Sequence, residues 1–239
     1  MDDQALRTDV AWACRILAME GHNDFTLGHV SARRDANLVL IKRFGIGLDE
    51  VTPDDILTID MDRRKVAGNG AVHLEAVLHT EAYKSRAELG AVIHTHPPYA
   101  TAIGAVEATL KMLCHDAVLF KDGLPIFAET AELITQPHQG QAVVRALGPH
   151  HAVLLRNHGV LVVGRDVPSA IFAAISLERA ARFQAIASAL GPLRPMEDMD
   201  SAMADRLYPS KVRQELVNNY WHYLIRQARQ RGFAAGMPA

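Results

Sequence analysis

The sequence predicts one α/β domain in which a mixed or antiparallel sheet is flanked by helices. Three observations point there. The 239-residue chain is 49% hydrophobic, enough for one sizeable buried core. Short β-branched runs are closed by Gly, Pro or Asn/Asp turns, and some lie close enough together to be hairpins. Segments with apolar residues at helical spacing alternate irregularly with them.

Residues 4–21 carry Leu6, Val10, Ala13, Cys14 and Leu17 at helical spacing, and Gly21 stops the run. LGHVSARRD and NLVLIKRF read as two short strands turning near Asp35–Asn37. GIGLDEVTPDD is a loop closing on Pro53, and DILTIDMDRRKVAG is a strand and turn. The glycine loop AGNGAV feeds a helix over roughly 74–86, with Leu74, Val77 and Leu78 on its apolar face. GAVIHTHPP is a strand stopped by Pro97 and Pro98, and a short helix follows through TAIGAV. After the apolar CHDAVLF come a glycine turn and LPIFAE. A helix over about 137–147 leads to HAVLLRNHGVLVVG, two strands joined at Arg156–Gly159. PSAIFAAISLERAARFQAIASAL is a long amphipathic helix ending at Gly191 and Pro192, and a last helix runs over roughly 210–229. The domain is expected to span residues 1–230, with 231–239, RGFAAGMPA, a disordered tail.

Composition excludes several classes. The net charge is −2, from 25 basic and 27 acidic residues without a basic block, so the electrostatic footprint of a nucleic-acid binder is absent. Two cysteines, Cys14 and Cys114, make no disulfide framework and fit a reducing compartment. The opening MDDQALRTDVAWAC lacks the basic and apolar regions of a signal peptide. No apolar run approaches the ~20 residues of a membrane span. The expectation is a soluble, cytoplasmic protein that binds neither nucleic acid nor membrane.

Histidine is the oddity, with twelve in the chain. His94 and His96 are i and i+2 on a predicted strand, so both imidazoles point to one face, and two neutral ring nitrogens side by side are half of a transition-metal site. The alternative is a partly exposed histidine pair at a sheet edge. Asn157-His158-Gly159 interrupts two hydrophobic strands. It is either a turn with a passenger histidine or a third ligand delivered across the sheet. Glu75 opens a helix, where a carboxylate either caps the N-terminus or works as a general acid/base beside a metal. His79 shares its helix face one turn on, as a ligand or, more in keeping with its position, a histidine behind the site.

These pieces together resemble the class II aldolases of the fuculose-phosphate aldolase, ribulose-phosphate epimerase and adducin-head superfamily. The resemblance covers roughly residues 5–190 and rests on LGHVSAR, EVTPDDI, the Glu75 helix start, AVIHTHPPYATA and LLRNHGVLVVG. It implies a three-layer α/β/α fold with a central, largely antiparallel mixed sheet. It also implies one divalent cation (Zn, Mn, Fe or Co) on His94, His96 and His158, with Glu75 as acid/base. A homo-oligomer is implied, a homotetramer with sites between subunits being favoured.

The departures bear on substrate. Where sugar-phosphate relatives hold phosphate with small hydroxyl and amide side chains, this chain has Gly28-His29-Val30-Ser31, Lys42-Arg43-Phe44-Gly45 and His73-Leu74-Glu75. Phe44 and Leu74 fill with carbon the space a phosphate cradle needs. Lys42, Arg43, His29 and His73 can still serve a flatter or smaller anion such as a carboxylate, unless Lys42 and Arg43 simply point into water. A Gly-His-x-Ser turn is also found in relatives that decarboxylate hydroxylated aromatic or pyridine carboxylates. The leading expectation is therefore a metal-dependent carbon–carbon lyase of aromatic-compound catabolism, decarboxylating a non-phosphorylated hydroxylated carboxylic acid through a metal-stabilised enolate. The alternative is an aldolase acting on a non-phosphorylated hydroxy-ketone or hydroxy-keto-acid, and a remote third is an adducin-like scaffold. Glu75, His29 and His73 are the expected catalytic residues. Ser31, Lys42, Arg43, Phe44, His115 and Tyr220 are expected to bind substrate, Tyr220 at a neighbouring subunit's site. A core histidine at 115 and a packing stripe of Tyr220, Trp221 and Tyr223 are the plainer readings.

Overall fold

The computed structural model describes residues 3–238. Its centre is an eight-stranded sheet. In chain order the strands are β1 (His29–Arg33), β2 (Leu38–Lys42), β3 (Ile56–Asp60), β4 (Lys65–Ala67), β5 (Ala91–Thr95), β6 (Ile126–Phe127), β7 (Ala152–Leu155) and β8 (Gly159–Gly164). The spatial order is β4-β3-β2-β1-β5-β8-β7-β6. Every pairing is antiparallel except that of β6 with β7, so the sheet is mixed and largely antiparallel.

Helices cover both faces: α1 (Asp3–Met19), α2 (Ala76–Ser85), α3 (Pro98–Gly104), α4 (Pro137–Leu147), α5 (Val167–Leu190), α6 (Met203–Lys211) and α7 (Gln214–Gln230). The period-2 alternation of the strands divides the core. Val30, Ala32, Ala91, Ile93, Val160 and Val162 face a cluster with residues of α1, α5 and α7. Val39, Ile41, Val92, Leu161 and Val163 face a second cluster with α2 and α4. The result is three layers, α/β/α. Among the described residues no helix is long and apolar enough to cross a membrane.

Local chemistry explains the joints. The β1–β2 turn is tied by Asp35, whose Oδ1 accepts from the amides of Asn37 and Leu38 at 2.8 and 2.9 Å. Arg15 on α1 is buried and donates to the Val51, Asp49 and Ala235 carbonyls, pinning the loop before β3 and the chain's end to one helix. Glu178 on α5 is also buried. Its two oxygens accept from the amides of Tyr99 and Ala100 at 3.0 and 2.8 Å, which holds the first turn of α3 directly after His96.

Two sequence expectations are corrected. The last helix, expected over roughly 210–229, splits: α6 ends at Lys211 with Pro209 inside it, and Arg213 in extended conformation separates it from α7. The segment expected to be a disordered tail is packed on the core through Met237. Phe233, Ala234 and Met237 lie against the α1–α5–α7 core, and the Phe233 amide donates to the Ala228 carbonyl at 2.8 Å.

Glu178→Ala should cost about 2–3 kcal/mol, since it strands two amide donors that a carboxylate satisfies. The check is the urea midpoint at constant m-value; a change below about 0.5 kcal/mol would show that α3 is held by packing alone.

Candidate metal-centred active site

The site lies on the α2 face of the sheet, where β5 runs between β1 and β8. His29 on β1 is register-paired with His94 on β5, and His94 with Leu161 on β8. His29, Ser31 and His94 all point toward α2. Glu75, His79 and Tyr83 recur at intervals of four along that helix and descend on them. His158 arrives in the three-residue turn between β7 and β8. There Asn157 takes φ +56°, a left-handed conformation that asparagine tolerates well.

The three histidines expected to bind metal are brought together. Ring nitrogens of His94, His96 and His158 all lie within 4.8 Å of one another. Their neighbours set the tautomers. His94 Nδ1 is 2.9 Å from the Val160 carbonyl, and His96 Nδ1 is 2.8 Å from Asp24 Oδ2, so each Nδ1 donates and each Nε2 is left as a lone pair. Those two Nε2 atoms are 3.2 Å apart. Two lone pairs at that distance repel unless a cation lies between them. The spacing is near the ~3.4 Å separating two ligands of a tetrahedral ion with bonds of about 2.0–2.1 Å. His158 Nε2 is buried without a hydrogen-bond partner. The residues present therefore fit a divalent cation. Sequence reasoning missed Asp24, which orients His96 as carboxylates orient metal-binding imidazoles. It also missed Gly159, where a Cβ would collide with the His96 ring and lie 2.6 Å from the Thr95 oxygen. Among these signals, only the turn glycine at 159 was visible in the sequence.

Glu75 stands over this cluster. Its Oε2 is 3.5 Å from His94 Nε2, its Oε1 is 3.6 Å from His158 Nε2, and the Ile134 amide donates to Oε1 at 2.9 Å. It occupies the N-cap position of α2 but makes no side-chain cap hydrogen bond, so the capping role is not the one it plays. Burial by itself would raise its pKa. Positive charge on the His158 and His94 imidazoles, where these are protonated in place of a bound cation, reverses the sign and lowers it.

His29 and His73 form the adjoining wall, their ring centroids 4.0 Å apart, and the edge of Phe44 meets His73 at 5.3 Å. Both nitrogens of His73 and Nε2 of His29 are buried without partners. Burial, with positive neighbours, lowers both rings, His73 to about 4 and His29 well below the ordinary imidazole value, so both are neutral near pH 7. His79, on the opposite side of His29, is buried behind the site and is not in either group of donors able to hold an ion.

The substrate-binding residues expected from sequence divide. Lys42 is fully buried rather than in water, donating to the Thr26 carbonyl at 3.1 Å. Burial lowers its pKa. Arg43 does not reach free into the pocket: its Nε binds Asp55 Oδ1 at 2.8 Å. Ser31 is sealed beneath His79 and Tyr83, with its hydroxyl 2.6 and 2.9 Å from them. His115 is exposed, so it is not a core histidine, and it is not among the rings of the site. Tyr220 stacks on Phe172 of α5 at 5.4 Å, on the other side of the sheet.

The profile of the family described as "Class II Aldolase and Adducin N-terminal domain" matches residues 8–185. The chain belongs to that family. Class II aldolases depend on a divalent metal, in keeping with the donor set above. This class II aldolase family member is 32% identical to a 3,4-dihydroxyphthalate decarboxylase of Rhodococcus jostii, over 83% of this chain and 87% of that one. It is 30% identical to an L-ribulose-5-phosphate 4-epimerase of Salmonella paratyphi B, over 82% and 91%. Among solved structures, an aldolase II superfamily protein from Pseudomonas syringae superposes with TM-score 0.85 at 25% identity, covering 97% of this chain and 94% of its own. L-fuculose 1-phosphate aldolase from Glaciozyma antarctica gives 0.84 at 22% identity, covering 95% and 89%.

Replacing His94, His96 or His158 by alanine should remove most bound metal, measured by elemental analysis after purification with zinc. Asp24→Ala should lower zinc affinity about 10- to 100-fold in a chelator competition while leaving the fold intact. An unchanged affinity would show that Asp24 has no part in orienting His96.

Proposed function

We propose that the protein is a metal-dependent carbon–carbon lyase that decarboxylates a non-phosphorylated, hydroxylated aromatic carboxylic acid. The observation that carries this reading is the wall beside the donor cluster. There His29, His73 and Phe44 make an aromatic, imidazole-rich wall, with the His29 and His73 rings tilted 50° to one another and Phe44 meeting His73 in a T-shaped contact. Such a surface suits a flat ring carrying a carboxylate. Lys42, buried nearby and lowering the pKa of both His29 and His73, adds positive potential to the same wall. The similarity to 3,4-dihydroxyphthalate decarboxylases supports the same choice.

His94, His96 and His158 would hold the cation, which when bound supplies electrophilic stabilisation of negative charge on substrate oxygen. Glu75 enters as the base because its two carboxyl oxygens stand 3.5 and 3.6 Å from the His94 and His158 rings, over the donor cluster. It takes the proton of the ring hydroxyl adjacent to the carboxylate and returns it to the ring carbon that bears the carboxylate. The carbon–carbon bond then breaks, carbon dioxide leaves, and the bond's electron pair returns through the ring to the oxygen, which takes up a proton. The neutral wall of His29 and His73 orients the carboxylate, and the buried setting keeps water from the oxygen on which negative charge develops.

We extend the proposal to a homo-oligomer, a tetramer being favoured. Phe183, Ile186 and Leu190 lie along one face of α5 at 49%, 50% and 84% exposure, an apolar strip that a second copy would cover. Only across such a boundary would His115 and Tyr220 reach a site.

The test is a screen of the zinc- and manganese-loaded protein on hydroxylated phthalates, benzoates and pyridine carboxylates, with fuculose 1-phosphate and ribulose 5-phosphate alongside. Carbon dioxide from an aromatic acid is expected. Efficient turnover of either phosphosugar would overturn the proposal, and aldehyde release from a hydroxy-keto-acid without carbon dioxide would assign an aldolase instead. Glu75→Gln should keep metal and fold but lose about 10²-fold or more in kcat. Full activity in that variant would remove Glu75 from the mechanism.

A further inference from the structure

Behind the site, four buried side chains form a continuous hydrogen-bonded chain. His29 Nδ1 is 2.6 Å from His79 Nε2, His79 Nδ1 is 2.6 Å from Ser31 Oγ, and Ser31 Oγ is 2.9 Å from the Tyr83 hydroxyl. Residues 29, 31 and 79 are 0% exposed and Tyr83 is 1% exposed. With neutral rings the hydrogens can run through the two imidazoles in either of two orders, and these differ at the ends. In one order Tyr83 donates to Ser31, Ser31 to His79 Nδ1, and His79 Nε2–H to His29 Nδ1. His29 then carries its own proton on Nε2. In the other order both imidazole bonds are reversed, His29 Nε2 is a bare lone pair, and either the Tyr83 or the Ser31 hydroxyl hydrogen must find a different acceptor.

The surroundings of Tyr83 select between them. Besides Ser31, the polar groups facing it are the Val92 amide and the Arg33 guanidinium, which lies 4.8 Å from the ring centroid. Both can only donate. The rest of its environment is the apolar α2–α4 cluster. The reversed order would strand a hydroxyl hydrogen, of Tyr83 or of Ser31, in that buried setting, where a donor without an acceptor is costly. The forward order leaves no donor stranded in the core and ends instead at His29 Nε2, which has no partner among the described residues. That atom belongs to the ring cluster of the site, where the His29 centroid is 4.0 Å from His73 and 5.1 Å from His94.

We infer that Tyr83, Ser31 and His79 are positioning residues that present His29 to the substrate as a neutral Nε2–H hydrogen-bond donor. His29 is thereby neither base nor metal ligand, although a nitrogen of its ring lies within 4.8 Å of donor atoms of Glu75 and His94 in a second grouping able to hold an ion. Sequence reasoning placed His29 among the catalytic residues without saying which way its proton lay; the chain behind it supplies that. That the accepting oxygen belongs to a carboxylate rests on the function proposed above. The proton order does not, so the two can fail separately.

Neutron diffraction from zinc-loaded protein exchanged into heavy water reads the order directly. Deuterium on Nε2 of both His29 and His79, with both Nδ1 atoms bare, is the expected result. Deuterium on Nδ1 of either ring overturns the inference. In solution, zinc affinity of His29→Asn should stay within about threefold of wild type, whereas a loss of about tenfold or more would make His29 a ligand. Ser31→Asp places an acceptor-only carboxylate between Tyr83 and His79 and should reverse the order. Long-range 1H–15N spectra of histidine-labelled protein should then show the His29 proton moved to Nδ1. In a folded Ser31→Asp protein, an unchanged His29 tautomer would show that the chain does not set it.

Discussion

The pairing of β5 between β1 and β8 governs this structure. Those two antiparallel ladders bring three distant parts of the chain within reach of one another, and their register lays His29 beside His94 and Val160 beside Thr95. Because strand side chains alternate with period two, a one-residue slip in either ladder would turn the imidazoles into the opposite core. That slip is opposed by the apolar residues sharing the strands. Val92 and Val163 are fixed to the α2 side, and Ile93 and Val162 to the α5 side. Hydrophobic burial, which has no directionality of its own, thus becomes angular precision at the donor cluster.

Polar groups deep in a protein are normally satisfied, so the places where they are not are informative. Among the described residues, four of the five buried ring nitrogens without a partner belong to the site, His29 Nε2, both nitrogens of His73 and His158 Nε2; the fifth is His22 Nε2. Each costs free energy in the folded state. Around them the structure is fully engaged, with Asp24 on His96, the Val160 carbonyl on His94, the Ile134 amide on Glu75 and His79 on His29. Satisfied groups outside and orphaned ones within are the pattern expected of a preorganised binding site.

Much of the fold was legible in the sequence. The two cores follow from the period-2 runs VSAR, LVLIK, AVIHT and VLVV, and α4 from the Pro137 start and Gly148 stop. The last helix was expected from roughly residue 210 on; instead α6 precedes it, and Pro209 is tolerated in the closing turn of α6, where the lost hydrogen bond is single. The tail was misread because its composition is loop-like. What holds it is the guanidinium of Arg15, some 220 residues away in the chain.

For the site, the sequence by itself determined the donor types. HTH on a strand, NHG in a turn and a glutamate at a helix start are local patterns, and local patterns report which chemistry a chain carries. Only the tertiary structure decided what each donor does. Asp24 and Tyr83 have no local signature; they matter because folding lays them against His96 and Ser31. Ser31, Arg43 and Lys42, by sequence alone, were equally available to a substrate. The fold seals one beneath His79, pairs another with Asp55 and buries the third. The reason is physical: the direction of a hydrogen bond and the protonation of a buried ring depend on every partner within about 3 Å, and those partners come from anywhere in the chain.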